Sequence, residues 1–362
     1  MSSLFNGGIS VSIFGESHGK GIGVVLDGLP GGEPLDLDEI GMFMARRAAK
    51  KDGTSTLRLE KDIPDILSGY YNGMTTGTPL TAVIFNAEQH SGDYGNISHI
   101  ARPAHADFTG YLRYNGANDP RGGGHFSGRL TAPLVFAGAV CAQLLKRRGI
   151  TTGAHIRSIK NISDDAFDPM NVTAEQLEQV KSAEFPTISA EAGDKMRELI
   201  LSARNGLDSV GGIVECAAVG MPAGIGSPMM EGLENVISGL VFAIPAVKGI
   251  EFGVGFGCAD LFGSENNDEF AIRDGKIVTL SNNHGGILGG ISSGMPIIFR
   301  AAFKPTPSIS RPQKSVDFKE MTERELVIKG RHDPCVVPRA VPCVEAALNI
   351  ALISAMAQQG RL

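Results

Sequence analysis

The stretch "ISVSIFGESHGKGIGVVLDGL", residues 9 to 29, sets two apolar runs, Ile9 to Phe14 and Ile22 to Leu26, around a polar, glycine-rich turn. This pattern predicts a β-hairpin or two neighbouring strands. Glu16, Ser17 and His18 would then be displayed at the strand ends, where a rigid frame holds reactive groups. The turn is not a nucleotide phosphate loop. That loop needs two glycines separated by four residues, then Lys and Ser or Thr. Here Gly15 and Gly19 are separated by three residues, and Gly21 follows Lys20. Gly19, Gly21 and Gly23 read G-x-G-x-G, so the dinucleotide fingerprint is absent too. No acidic magnesium site stands at the right spacing for an ATP-hydrolysing enzyme.

Glycine accounts for 47 of the 362 residues, and tryptophan is missing. That is nearly twice the usual glycine share of about 7%. The glycines punctuate apolar runs, which predicts many tight turns and close backbone approaches. With 33 basic and 39 acidic residues the net charge is −6, which argues against a nucleic-acid partner. Five cysteines with no C-x-x-C pair suit a reducing, cytoplasmic location. "MSSLFNGGIS" carries no signal-peptide pattern. The most apolar segment, Leu130 to Leu145, contains Pro133 and Gln143 and falls short of the ~20 residues a membrane span needs. A soluble protein without membrane association is expected.

Asp36 with Glu39 predicts a helix through about Lys51, with Leu37, Ile40, Phe43 and Met44 as its buried stripe and Gly53 as its end. A buried helix is expected over 131–148 and amphipathic helices over 174–183 and 190–205, the last ended by Gly206. A final helix is expected over 340–358. Strand-like runs resume at Gly211 to Val219 and continue through the glycine-dense centre. Between Gln89 and Arg129 the chain is polar, with little apolar periodicity and four histidines, the composition of a functional loop. Gly-Gly-Ile recurs at 7–9, 211–213, 285–287 and 289–291, an echo that would mark a duplicated unit if it were not chance.

Four loop clusters carry reactive groups: Glu16 to His18, Arg102 to Asp107, Arg121 to Arg129, and Lys304 to Ile309 together with Gly330 to Pro334. His18 and His105 sit among small residues and suit proton exchange near neutrality. His90, His99, His155 and His284 read as surface or turn residues. His99, His105, His332 and Asp333 match no metal spacing, so no metal is expected. Arg102, Arg121, Arg129 and Arg331 lie in Gly- or Pro-rich segments and suit bidentate binding of carboxylate or phosphate. With Arg47 they predict a compact polyanionic ligand. Lys304-Pro305-Thr306-Pro307-Ser308 offers a cation and hydroxyls on a stiff backbone for a second phosphate.

Seven ordered motifs then converge: "FGESHG", "LSGYYNGMTTGTPL", "RPAHAD", "RGGGHFSGR", "GGILGGISSGMPI", "KPTPSI" and "GRHDPCVVPRAVP". Together they resemble those of the chorismate synthase family, over residues 5 to about 355. The resemblance implies a lyase of the shikimate pathway that removes phosphate and a ring proton from 5-enolpyruvylshikimate 3-phosphate by 1,4-anti elimination. It implies a need for reduced FMN, which lends an electron as phosphate leaves and then recovers it.

His18 would protonate the departing phosphate, His105 would supply a proton to the flavin, and Asp333 would help remove one. The implied flavin contacts are His125, Phe126, Ser127, Pro245, Ala246, Gly289, Lys304 to Ser308 and Arg331. The implied substrate contacts are Ser17, Arg47, Arg102, Arg129 and Arg331. Many members have Arg-Ser-Ser where this chain has His125-Phe126-Ser127, so contacts there would use backbone or ring stacking.

The family fold implied is α+β, with helices sandwiched between two antiparallel four-stranded sheets in one domain of residues 1–362. The implied assembly is a homotetramer. Some members also reduce flavin with NADPH. The resemblance takes up nearly all 362 residues and leaves no room for a separate nicotinamide-binding domain, and its one implied nicotinamide contact, Arg47, is also claimed by the substrate, so an external flavin reductant is expected.

Overall fold

In the computed structural model, which describes residues 3–50, 52–55, 62–86, 99–328 and 333–362, the two opening apolar runs pair as a hairpin. Ser10–Gly15 (β2) and Gly21–Asp27 (β3) run antiparallel, with Ser10 opposite Asp27 and Gly15 opposite Ile22. Leu4–Asn6 (β1), Asp65–Ser68 (β4) and Leu80–Phe85 (β5) complete a sheet in the order β1-β2-β3-β5-β4. Alternation decides its faces. Val11, Ile22, Val24, Leu26, Leu80, Ala82 and Ile84 point into the core, while Phe14, Leu67 and Phe85 stand exposed on the other side.

A second sheet holds Thr151–Ile159 (β6), Ile162–Ser163 (β7), Gly212–Val219 (β8), Val247–Phe252 (β9) and Ile297–Phe303 (β10), in the order β9-β10-β8-β6-β7. Every pairing in both sheets is antiparallel. Among the described residues each sheet therefore has five strands, where the family resemblance implied four. The short β1 and β7 carry too little apolar pattern to be read from sequence. The Gly-Gly-Ile triplets fall ahead of β2, at the start of β8 and in a small hairpin at 287–292, positions that are not equivalent. The triplets by themselves do not mark a repeat.

Between the sheets lie Leu37–Ala45 (α1), Thr131–Arg147 (α3), Leu233–Phe242 (α6) and Val337–Gln358 (α7). Helix α3 packs on the first sheet, α7 on the second, and the two on each other. Asp107–Arg113 (α2) lies outside this layer, and Ala174–Ser182 (α4) and Ala190–Asn205 (α5) pack against the second sheet. A Thr173–Gln176 capping box starts α4, Ser189 caps α5, and Gly206 follows its end, so the local signals act as read. Leu177 and Val180 of α4 close a small cluster with Phe167, Val172, Ala217 and Ile298.

Helices α3 and α7 extend into segments Gly128–Arg147 and Val337–Gln358 that are long and apolar enough to cross a membrane by composition. Their apolar windows are 89% and 94% buried within the fold, as core helices require. The two meet tightly at Gly138, where a Cβ would come within 2.2 Å of Ala346 Cβ and 2.3 Å of its Cα. Asn349 binds this crossing to the second sheet. Its Nδ2 donates to the Gly138 carbonyl at 3.2 Å and its Oδ1 accepts from Thr152 Oγ1 at 2.7 Å. Gly138→Val is expected to cost about 1–3 kcal/mol by forcing the helices apart. The check is a lower chemical-denaturation midpoint at unchanged slope, and an unmoved midpoint would refute it.

Three local expectations need correction. Helix α1 ends at Ala45 rather than near Lys51. The backbone tightens into i→i−3 bonds at Arg46, Arg47 and Ala48, and the first two side chains leave for Glu345 and Asp62. Leu37 is exposed, so the buried stripe is Ile40 and Met44 with Phe43 at its edge. Gly53 lies in the following loop and Lys51 outside the described residues. Helix α6 arises within the glycine-dense centre that reads as strand, because Leu233, Ile237, Leu240 and Val241 meet the core on one face. The described part of the 89–129 stretch, from residue 99, contains α2 and two 3-10 turns. Tyr111 packs on the Phe318 ring at 4.7 Å, a contact no local pattern announces.

Candidate active site

The β2–β3 turn places Ser17 and His18 under cover, 2% and 4% exposed. Asn86, just past β5, clamps this turn. Its Nδ2 donates to the carbonyls of Glu16 at 3.2 Å and Gly19 at 3.0 Å, while its Oδ1 accepts from Arg129 Nε at 3.2 Å. One amide therefore ties the His18 turn to an arginine from another segment.

Across from His18 runs Gly122–Gly124, with all three φ angles positive. Gly124 accepts a hydrogen bond from Ser17 N–H at 3.2 Å. Burial raises the carboxyl pKa of neighbouring Glu16, with nearby Asp119 adding to it and His125 opposing. Beyond the glycines lies His105, whose Nδ1 is 2.7 Å from Asp107 Oδ1. That contact fixes the proton on Nδ1 and leaves the Nε2 edge toward Gly123. Asp107 also takes a bidentate bond from Arg102, Nε to Oδ2 and Nη2 to Oδ1, both at 2.7 Å. Burial alone would raise the Asp107 pKa, but the bonds from Arg102 and His105 outweigh it and hold it well below the usual carboxylate range. Arg102 Nη1 in turn lies 3.5 Å from Ser308 Oγ.

The second arginine group centres on Asp62. Its Oδ2 pairs with Arg47 Nη2 at 2.8 Å and its Oδ1 with Arg129 Nη1. All three side chains are nearly covered. Burial pulls Arg47 below its ordinary pKa in spite of Asp62, although a guanidinium stays charged there. Arg339 continues the chain of contacts, its Nε donating to the Arg47 carbonyl at 3.0 Å and its Nη1 meeting Asp333 Oδ2 at 2.7 Å.

A further strip adjoins this one. The Lys304 ammonium donates to the carbonyl of Ala104, one residue before His105, and Lys304 N–H donates to Ala246 O at 3.0 Å. Burial, with Lys248 close by, pushes the Lys304 pKa down. Pro245, Ala246 and the Lys304–Ser308 run are thus brought beside the His105 loop. Thr306 offers a buried hydroxyl with no hydrogen-bond partner among the described residues.

Ser17, His18, Arg47, Arg102, His105, Arg129 and Asp333 therefore join through contacts, with Lys304 and Ser308 at the edge. Arg121 does not join. It turns outward to Asp119, 2.7 Å away and half exposed. Gly289 sits in the 287–292 hairpin, whose Gly290 packs on Ser227 and Gly232. The ring of His125 has both nitrogens engaged, by Gly15 O at 2.8 Å and Ser3 Oγ at 2.5 Å. Phe126 packs beneath Gly110 and near Tyr114, and Ser127 caps the following 3-10 turn. These side chains face the frame, so a ligand there meets backbone. Arg331 and His332 lie outside the described residues. His99 contacts Lys319 and Phe318, away from His105.

Sequence reading missed Asn86, Asp62, Arg339 and the part played by Asp107. Asp107 and Arg339 stood inside quoted motifs, so their signal was present. Asn86 and Asp62 had only a position beside a strand.

A family model for chorismate synthase matches residues 9–357. A chorismate synthase of Lancefieldella parvula is 46% identical, covering 98% of this chain and 96% of its own. One of Pyrococcus abyssi is 48% identical, covering 95% and 94%. A crystal structure of chorismate synthase superposes with a TM-score of 0.77 at 30% identity, covering 97% of this chain and 92% of that one.

Proposed function

The chain belongs to the chorismate synthase family, and from that membership we propose the particular reaction: loss of phosphate and a ring proton from 5-enolpyruvylshikimate 3-phosphate beside reduced FMN. The family makes it a carbon–oxygen lyase of the last shikimate-pathway step. The observation that carries the finer reading is the unbroken run of contacts from His18 through Gly122 and Gly123 to His105 and Arg102, and through Asn86 to Arg129 and Arg47.

The substrate carries two carboxylates and one phosphate, and the site presents buried guanidiniums that match such anions fork to fork. Arg47, Arg102 and Arg129 bind it, and Ser17 adds a hydroxyl. His18 passes its proton to the leaving phosphate oxygen, which would otherwise depart with excess charge. His105, its Nδ1 proton committed to Asp107, exchanges a proton at Nε2. Asp333, oriented by Arg339, would help remove a proton at the flavin edge that receives the substrate's hydrogen.

Lys304 to Ser308, with Pro245 and Ala246, fit an anionic flavin. The strip holds a cation, the Ala246 backbone at positive φ and a buried Thr306 hydroxyl with no partner among the described residues. When bound, reduced FMN supplies transient electron density to the allylic system. Gly289 and Arg331 belong to this proposal as contacts. The exposed Phe14, Leu67 and Phe85 on one sheet face support assembly into the homotetramer the family resemblance implied.

The test is anaerobic phosphate release from the substrate with dithionite-reduced FMN, where turnover is expected. With oxidised FMN and NADPH alone, no sustained product is expected. Absence of turnover in the first mixture would overturn the reaction. Sustained turnover in the second would overturn dependence on an external reductant.

A further inference from the structure

We infer that the Gly122–Gly124 turn is a positioning element of the reaction, a backbone wall on which the rings of His18 and His105 both seat. This rests on the catalytic reading of those two histidines. The three residues have φ of 59°, 84° and 53°, the left-handed region that glycine enters without strain. Turn geometry alone would ask for that. The neighbours make a separate demand.

A Cβ on Gly122 would lie 2.0 Å from both Nδ1 and Cε1 of His18 and 3.1 Å from Ser17 Oγ. One on Gly123 would lie 3.2 Å from His105 Nε2. One on Gly124 would lie 2.1 Å from the Asp119 carbonyl and 3.0 Å from Glu16 Oε2. Ordinary non-bonded contact is about 3.5 Å, so a methyl at Gly122 displaces something by about 1.5 Å.

The turn is poorly placed to move. Gly123 N–H donates to Pro120 O at 3.2 Å, and Ser17 N–H to Gly124 O at 3.2 Å. The imidazole is the part that gives way. His18 comes from the β2–β3 turn and His105 from the segment before α2, yet both rings abut one short backbone. Their separation is therefore set by Gly122 and Gly123, which carry no side chain, with Gly124 holding the turn to Ser17.

Gly122→Ala in the holoenzyme is expected to lower kcat by about 10²-fold, the usual consequence of misplacing a reacting group by ~1 Å. KM and affinity for reduced FMN should stay near wild type, because only the transition state loses its proton donor. Gly149→Ala is the control for backbone strain, since Gly149 has φ 74° with nothing among the described residues within 4 Å of a Cβ. It should keep wild-type kcat. The double variant Gly122→Ala/His18→Ala should be no slower than His18→Ala, because the obstructed ring is gone.

Wild-type kcat in Gly122→Ala, an equal loss in Gly149→Ala, or multiplicative losses in the double variant would each overturn the inference. If Gly122→Ala does not fold, the double variant decides: restored folding supports the contact, and continued failure overturns it. An unimpaired His18→Ala would instead remove the catalytic reading beneath it.

Discussion

His18→Ala lowers phosphate release by roughly 10²–10⁴-fold, the contribution expected of a general acid. Flavin binding stays near wild type, because His18 belongs to the β2–β3 turn and the proposed flavin strip to Pro245–Ala246 and Lys304–Ser308. The turn itself should survive. Its shape depends on the Asn86 bonds to the Glu16 and Gly19 carbonyls and on Ser17 N–H to Gly124 O, none of which uses the imidazole. The measurement is single-turnover phosphate release under anaerobic conditions, with flavin affinity read by titration. A variant with normal turnover would remove His18 from the chemistry. A variant that loses flavin affinity in proportion to turnover would make it a binding residue.

His155→Ala is expected to cost about 3–5 kcal/mol of stability, because it strands two buried carboxylates. His155 is fully buried on β6, with Nδ1 3.0 Å from Asp164 Oδ2 and Nε2 3.0 Å from Glu215 Oε2. Burial opposes a charge on the ring, yet the two carboxylates outweigh it and raise the His155 pKa. Asp164 shows the reverse balance. Burial would raise its pKa, but His155 and the amides of Ser189 and Ile188 bring it down.

The signs set a pH window. A raised histidine pKa stabilises fully below the unfolded value of about 6.5 and loses that contribution as pH climbs through the folded value. A lowered aspartate pKa stabilises above about 3.9 and loses that as pH falls through the folded value. The gap in denaturation midpoint between wild type and His155→Ala should therefore be widest between about pH 4 and 6.5. A gap that is small there, or that widens toward alkaline pH, would show that the triad is not an ion cluster. His155 is 50 residues from the nearest proposed catalytic histidine in sequence, and its role is structural.

This residue also shows where sequence reading reached its limit. In isolation His155 lies in "TTGAHIRS", a short run with no acidic neighbour, and it reads as a surface or turn residue. Its partners arrive from Asp164 after the β6–β7 hairpin and from Glu215 on β8. A sheet register decides that, and no local pattern encodes it. Asp62 between Arg47 and Arg129 is the same case inside the site. No local pattern announces that a carboxylate of the chain itself bridges the two arginines expected to meet a ligand anion.

Signals that act within a few residues could be read directly. The Ile9–Leu29 hairpin, the buried helix that became α3, the capped helices α4 and α5 and the long final helix all follow from apolar period, caps and glycine stops. The ordered motifs were likewise enough to expect the family. Packing added what spans long stretches of chain: five strands in each sheet, α6 within a strand-like region, the early end of α1, and the histidines seated against one glycine turn. The reason is physical. A cap or a turn is satisfied by its own neighbours, whereas a register, a helix crossing at Gly138 and a shared wall between His18 and His105 exist only once distant segments have excluded water between them.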